Sequence, residues 1–172
     1  MQLPPSEERF KLNLQDLVTY FETLLNEVLA RSKIPIDMKS FTKGAEAVNK
    51  YNAHQLIVDC ARGSYPYWEQ LLPTKPNREF FLKNIDKMFS GETVNAIRPF
   101  KVLFEKKCFH AEQEQDIWTT VRTLVKICIR YLHEQTQAGN PAVTYIPGDF
   151  VRPGQQMDYI SWAPKFGLDL TK

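Results

Sequence analysis

Two long stretches of the sequence repeat apolar residues every three or four positions. The first covers residues 14–29 and the second covers residues 117–132. Residues at this spacing lie on one side of an α-helix, so each stretch predicts an amphipathic helix that packs against a core. Two such helices in a chain of 172 residues favour a mainly helical fold.

The first helix is predicted to begin after Asn13. An Asn side chain in this position accepts a hydrogen bond from a free backbone N–H group of the first turn. Pro35 follows the apolar stretch and prevents the helix from continuing. Residues 1–11 include Pro4 and Pro5 and have no apolar core, so they are predicted to form a flexible N-terminus.

The second helix is predicted over residues 112–138 and is the longest in the chain. Glu112 and Glu114 open it, where carboxylates favour the positive end of the helix dipole. Trp118 and Tyr131 widen its apolar stripe beyond one face. A helix with apolar residues on several sides packs against several elements, so we expect this one to lie at the centre of the fold.

Shorter helices are predicted between the two long ones. Apolar residues at helical spacing follow Asp37 and predict one long or two short helices before Gly63. Prolines on both sides limit the region around Trp68 to a single helical turn. Asn77 is a suitable cap for a further helix. Residues 100–104 fit either a helical turn or a short strand, because periodicity does not distinguish them at that length.

The C-terminal segment, residues 139–172, follows a different pattern. Recurring Pro and Gly residues prevent a long helix there. Its aromatic content is nevertheless too high for a solvated tail, so we expect it to dock either on its own helical body or on a partner. The candidate interface residues are Tyr145, Phe150, Tyr159, Trp162 and Phe166.

These observations predict a single all-α domain. The helical domain should cover residues 12–138 as a bundle of about six helices, with the long C-terminal helix at its centre. An irregular, extended segment rich in Pro and aromatic residues follows it, over residues 139–172. A chain of this length can bury a core large enough to fold without a disulfide or a metal.

Charge and cysteine content limit the cellular setting. The formal net charge is only +2, so the total charge gives no reason to infer a polyanion partner. Cys60, Cys108 and Cys128 are odd in number and lack a C-x-x-C pair, which is typical of reduced thiols. Neither a secretory signal nor a membrane-spanning run is evident, and we expect a cytoplasmic or nuclear protein.

One helix face carries three cations. Arg122, Lys126 and Arg130 are spaced by four residues, which places them on one side of the longest predicted helix and makes them repel one another. A phosphate, a nucleic acid or an acidic protein surface would offset that repulsion. An ordinary solvated helix face, or pairing with carboxylates of the same chain, is the simpler alternative.

A second basic cluster alternates with phenylalanines. Such a composition can pair backbone phosphates with cations and stack bases on aromatic rings. The alternative is that the phenylalanines belong to the core and the cations are solvated. The cationic candidates are Arg98, Lys101, Lys106 and Lys107, and the neighbouring rings are Phe100, Phe104 and Phe109.

No motif identifies an enzyme, a metal site or a cofactor. His110 and Glu112 have the H-x-E spacing of zinc deaminases, but the required downstream P-C-x-x-C is absent. Nucleotide-binding and common hydrolase motifs are also absent. An enzyme built from dispersed residues would need His54, His110 or His133 to meet carboxylates in one pocket.

Three functions therefore remain as hypotheses. The first is a non-catalytic protein-interaction or assembly module, a structural or scaffold role in which the C-terminal arm contacts a partner or a second copy of the chain. The second is a nucleic-acid-binding protein that uses the basic helix faces. The third is an enzyme whose site residues are dispersed along the sequence.

Overall fold

The structure is a computed structural model. It describes residues 6–31, 33–34, 36–64, 67–71, 77–87, 94–95 and 97–137. Within these ranges the chain forms α-helices, of which six contain seven residues or more and one is a single turn, and no strand. The prediction of an all-α bundle is confirmed. The helices are α1 (Ser6–Arg31), α2 (Met38–Lys50), α3 (Ala53–Ser64), α4 (Trp68–Leu71), α5 (Arg78–Asn84), α6 (Arg98–Glu105) and α7 (Ala111–Gln137).

Helix α1 begins at Ser6, so the prediction of a start after Asn13 is wrong. Asn13 lies inside the helix, and its side-chain Nδ2 donates to the carbonyl of Arg9 at 2.7 Å. Phe10 is fully buried and continues the apolar stripe by one turn towards the N-terminus. Residues 6–11 were predicted to be flexible, but they are helical because this side chain packs into the core.

Helix α7 lies at the centre of the described fold, as predicted. Its bounds differ by one residue from the predicted ones, and it packs against α1, α3 and α4. Ser6 at the start of α1 bonds to Glu134 near the end of α7, whereas Tyr20 lies beside Asp116. The two long helices are therefore antiparallel.

The shorter helices begin where side chains can cap them. Asp37 accepts a hydrogen bond from the backbone N–H of Ser40 at 3.1 Å and starts α2. Asn77 accepts one from the N–H of Phe80 at 3.0 Å and starts α5. The apolar region after Asp37 forms two helices, α2 and α3, because the chain is extended at Tyr51 between them.

Helix α6 resolves the ambiguity of residues 100–104 in favour of a helix. Pro99 occupies its first turn, where a missing N–H costs nothing. Its rings fix it to the core: Phe100 stacks on Phe21 with 3.5 Å between ring centroids. Phe109 packs edge-on against Phe104, with centroids 5.0 Å apart.

The helices contain no membrane-spanning candidate. No helix in the described ranges is both long enough and apolar enough to cross a bilayer. The C-terminal segment, residues 139–172, lies outside the described residues.

Candidate functional site: an aromatic pocket between three helices

A cavity of about 230 Å³ opens where α5, α6 and the first turns of α7 meet. This volume is below the range of roughly 300–1,000 Å³ that is usual for small-molecule sites. It suits one bulky side chain or a fragment of similar size. The lining residues are Arg78, Phe81, Phe104, Ala111, Glu114, Gln115 and Trp118.

Three aromatic rings form the floor of the pocket. The ring of Phe81 lies 5.3 Å from that of Phe104 and 5.4 Å from that of Trp118, measured between centroids. Both pairs are tilted or edge-on, which is a favourable arrangement for aromatic rings. All three side chains are buried, so the floor is held by core packing and does not need a ligand to form.

The indole N–H of Trp118 has no hydrogen-bond partner among the described residues. Trp118 is 3% exposed, and leaving a buried donor unpaired costs about 1–3 kcal/mol. The other described tryptophan shows the usual arrangement, since the indole N–H of Trp68 donates to the Ser64 hydroxyl at 3.0 Å. The indole N–H of Trp118 is therefore a covered donor without a described partner, on a residue that lines the aromatic pocket.

An ion pair closes one side of the pocket. Nε of Arg78 donates to both carboxylate oxygens of Glu114, at 3.0 Å and 3.2 Å. Nη2 of Arg78 donates to the carbonyl of Phe104 at 2.7 Å. These bonds join α5, α6 and α7 at the rim. Because the two charges offset each other, the rim favours an occupant without net charge.

The start of α7 is capped beside the pocket. The backbone N–H of His110 donates to the side-chain oxygen of Gln113 at 2.8 Å, and the N–H of Glu114 donates to the carbonyl of His110 at 3.0 Å. A Gln three residues into a helix that bonds back to the cap residue is half of a capping box. This cap fixes Ala111 and Glu114 at the pocket rim.

The basic face of α7 has the predicted spacing. Arg122, Lys126 and Arg130 are each half-buried on this helix. Burial, together with the positive charge of Arg122, lowers the pKa of Lys126. The shift shows that neighbouring cations on this face interact. Whether they bind a phosphate remains a prediction.

The second basic cluster is divided between paired and exposed residues. Nζ of Lys101 lies 3.5 Å from Asp86, and Arg98 donates to the Asn95 side chain at 3.3 Å. Lys106 and Lys107 are exposed. The neighbouring rings of Phe100, Phe104 and Phe109 are buried in the core, so they are not accessible for stacking with bases.

A polar network joins the beginning of α1 to α3 and α7. The Tyr131 hydroxyl donates to Glu7 at 3.1 Å, and its oxygen lies 2.6 Å from Nδ1 of His54. Nearby, the Ser6 hydroxyl donates to the Glu134 carboxylate at 2.8 Å. Sequence analysis did not find this network, since its members are up to 128 positions apart.

The network is suited to holding the helices in position and not to transferring protons. Burial and the Glu7 carboxylate raise the pKa of Tyr131, so this hydroxyl stays protonated and donates a hydrogen bond at neutral pH. His110 is exposed and not part of this network. The side chain of His133 lies outside the described atoms. Within the described part of the chain, no three metal-binding side chains come together.

Two cysteines are buried next to each other. Cys60 and Cys128 are both free and buried, whereas Cys108 is partly exposed. Burial, followed by interaction with Cys60, raises the pKa of Cys128. A thiol held in its protonated form is a poor nucleophile, which fits the expected role of a core residue.

A second cavity of about 400 Å³ lies between α1 and α7, and most of its lining residues carry polar groups. Asp16 and Asp116 are exposed on its lining. Burial and Asp116 raise the pKa of Tyr20 in the same cavity. All these polar groups face water or one another, so this cavity lacks the unpaired buried donor that distinguishes the aromatic pocket.

The candidate interface residues Tyr145, Phe150, Tyr159, Trp162 and Phe166 belong to the C-terminal segment and lie outside the described ranges. The aromatic pocket was not predicted from the sequence either. Its one local signal was Trp118, whose position widened the apolar stripe of the longest helix and whose indole N–H required a partner.

Comparisons with protein-family models, with curated proteins and with solved structures found no match to this chain.

Proposed function

We propose that this chain is a non-catalytic protein-interaction or assembly module. In this proposal the aromatic pocket binds an uncharged stretch of a protein partner that contains an aromatic or proline residue. The observation that carries the proposal is the buried, unpartnered indole N–H of Trp118. A backbone carbonyl of the bound stretch accepts its hydrogen bond.

The size and lining of the pocket support a peptide occupant. Its volume of about 230 Å³ suits one anchoring side chain, and anchors of this kind supply most of the affinity in protein interfaces. Aromatic-lined grooves also bind proline-containing segments, whose extended backbone loses little entropy on docking. A carbonyl beside the anchor provides the acceptor that Trp118 lacks.

The charge at the rim determines which peptides bind well. Arg78 and Glu114 already bond to each other, so a charged anchor would have to separate them or remain unpaired. An uncharged anchor leaves the ion pair intact. Charged residues on the two sides of the anchor can still contact Arg78 and Glu114 from solvent.

Selection from a random peptide library displayed on phage tests this proposal with the full chain. We expect the selected peptides to contain an uncharged aromatic or proline residue. Ala111→Leu places a larger side chain at the mouth of the pocket, and it should reduce the affinity for a selected peptide at least about tenfold, as loss of roughly 1.4 kcal/mol does.

Thr23→Leu is the control for this experiment. Thr23 is exposed on α1, its hydroxyl donates to the carbonyl of Thr19 in the same helix, and it does not line the pocket, so its replacement should leave the affinity unchanged. Equal loss of affinity in both variants, or equal retention in both, would contradict binding at the pocket. Thermal melting of each variant verifies that it is folded.

Nucleic-acid binding is the second candidate function. The observation in its favour is the four-residue spacing of Arg122, Lys126 and Arg130 on α7, because bound phosphate would offset the repulsion between neighbouring cations. Binding of a double-stranded oligonucleotide should then weaken steeply with salt. Charge reversal of Arg122, Lys126 and Arg130 should reduce the logarithmic salt slope by up to about 2.7, or roughly 0.9 for each phosphate contact.

Unchanged binding after this triple substitution would remove the nucleic-acid hypothesis. The control variant reverses Lys39 and Lys43, two exposed cations on α2, which change the total charge without touching α7. If the logarithmic salt slope decreases equally in both variants, the effect is a nonspecific one of net charge.

A further inference from the structure

We propose that the pocket is occupied in the free chain by residues 159–164 of the same molecule, so that an external partner must displace them. This inference rests on the proposed function, because it assumes that the pocket binds an uncharged aromatic stretch. It identifies the occupant of the pocket and adds a form of regulation to the proposed function. The segment would act as an internal competitor for the site.

The sequence of the segment matches the chemistry of the pocket. Residues 159–164 read Tyr-Ile-Ser-Trp-Ala-Pro and carry no charge. They supply two aromatic anchors, a proline and backbone carbonyls, one of which can accept from Trp118. Tyr and Trp are the side chains most suited to such anchoring, because they bury a large area with few rotatable bonds.

Charges on the two sides of this run complement the rim. Asp158 precedes it and Lys165 follows it, whereas Arg78 and Glu114 are the charged residues that line the pocket. The acidic end can approach Arg78 and the basic end can approach Glu114. The uncharged centre then covers the aromatic floor.

The length of the chain selects this run over an earlier one. The pocket residues Glu114 and Trp118 lie 19 to 23 positions before Gln137, the end of α7, which is a distance of about 28–35 Å along the helix. Tyr145 is eight positions beyond Gln137 and can span at most about 29 Å when fully extended. A segment this short cannot reverse direction at the end of α7 and still reach the pocket.

Residues 159–164 are far enough beyond α7 to reach the pocket. Trp162 lies 25 positions beyond Gln137, so its tether can span up to about 90 Å. Attachment to the same chain holds the run at an effective concentration in the millimolar range. With an intrinsic Kd of about 0.1 mM, the run lowers the apparent affinity for an external ligand about tenfold.

Competition in the full chain tests this inference. The probe is a fluorescent synthetic peptide that spans residues 156–168, added in trans and followed by anisotropy. We expect the double variant Tyr159→Ser, Trp162→Ser to bind the probe at least about tenfold more tightly than the wild-type chain does. Tyr145→Ser is the matched control, since it removes an aromatic residue that cannot reach the pocket, and it should bind as the wild type does.

Each alternative outcome contradicts the inference in a recognisable way. Equal affinity of the wild type and the double variant would show that the segment does not occupy the pocket. Absence of binding to both would show that this run is not a ligand. Probe binding that Ala111→Leu leaves unchanged would place the peptide elsewhere. A wild-type dimer that the double variant converts to a monomer would show that the segment comes from a second copy.

The proposed function can survive every one of these results. It fails if Ala111→Leu leaves the binding of library-selected peptides unchanged, or if the control variant weakens that binding equally, and both are separate measurements. The solution mass of both chains, measured at the concentration of the binding experiment, separates occupancy within one chain from exchange between two.

Discussion

The hydroxyl oxygen of Tyr131 lies 2.6 Å from Nδ1 of His54. The same hydroxyl donates to Glu7, so in that arrangement the proton between Tyr131 and His54 belongs to the imidazole. Three helices that are distant in sequence are thereby joined through one buried phenol. The network stabilises the first turn of α1, where the sequence itself gave no sign of a helix start.

Replacement of Tyr131 by Phe should destabilise the fold. The ring remains in its buried site, but Glu7 and His54 each lose a hydrogen-bond partner. Because both are only partly buried and can turn to water, we expect a loss of about 1–2 kcal/mol. Urea denaturation measures it. His54→Ala and the double variant Tyr131→Phe, His54→Ala complete a double-mutant cycle. A coupling free energy near zero would show that the 2.6 Å contact contributes no stability.

The stability should also decrease at alkaline pH. Burial, the hydrogen bond to Glu7 and the nearby carboxylates raise the pKa of Tyr131 above the ordinary value of 10.0. Below pH 10 the phenol is protonated in both states, and its contribution is complete. Above that pH the unfolded chain loses the proton first, so folding becomes less favourable, by up to about 1.4 kcal/mol per pH unit for one group.

Urea denaturation at several pH values between 9 and 11.5 tests the pH effect. Above pH 10 the free energy of unfolding should decrease less steeply for Tyr131→Phe than for the wild type. Some pH dependence remains in the variant, because the pKa values of Tyr20 and Cys128 are also raised. Identical slopes for the wild type and the variant would contradict the raised pKa of Tyr131.

The two described tryptophans should respond differently to replacement by Phe. Trp68 is 1% exposed and Trp118 is 3% exposed, so the loss of packing is similar at both sites. Trp68→Phe also leaves the buried Ser64 without the donor at 3.0 Å, whereas Trp118→Phe removes a donor that has no partner among the described residues. In the Tyr159→Ser, Trp162→Ser background, which keeps the C-terminal run out of the pocket, we expect Trp118→Phe to be less destabilising than Trp68→Phe by about 1–2 kcal/mol. Equal losses in thermal denaturation would indicate that the indole of Trp118 is already paired.

Lys107 should be replaceable by Gly with a gain in stability. Its φ is +54°, in the left-handed region that costs a residue with a Cβ roughly 1–2 kcal/mol. The N–H of Cys108 donates to the carbonyl of Leu103, and the N–H of Lys107 donates to that of Phe104, which is the Schellman pattern at a helix end. Lys107→Gly should stabilise by about 1 kcal/mol. Lys106→Gly, at the preceding position, is the control and should not stabilise.

Sequence periodicity predicted the long helices for a physical reason. Over residues 117–132 many apolar side chains share one face, and burial of that face determines the helix whatever its neighbours are. The start of α1 was missed because Asn13 resembled a cap and the prolines before Ser6 suggested disorder. The signal that could have extended the helix was Phe10, which continues the apolar stripe by one turn.

The pocket was beyond sequence analysis because its parts come from three helices. Phe81, Phe104 and Trp118 each fit a helical apolar pattern, and a pattern gives no information on which faces meet. The pairing of Arg78 with Glu114 was hidden by a simpler explanation, the favourable position of a carboxylate in the first turn of a helix. Only the packed structure shows that one indole N–H remains without a partner.

The indole signal of Trp118 tests the central claim most directly. We would record ¹H–¹⁵N spectra of the full-length double variant Tyr159→Ser, Trp162→Ser, whose pocket is free of the C-terminal run, while adding a library-selected peptide, with the indole peaks assigned from Trp→Phe replacements. The account predicts that the Trp118 Nε1–H peak moves downfield as it gains an acceptor, whereas the Trp68 peak, already bonded to Ser64, stays in place. Saturated binding with no movement of the Trp118 peak would contradict the account.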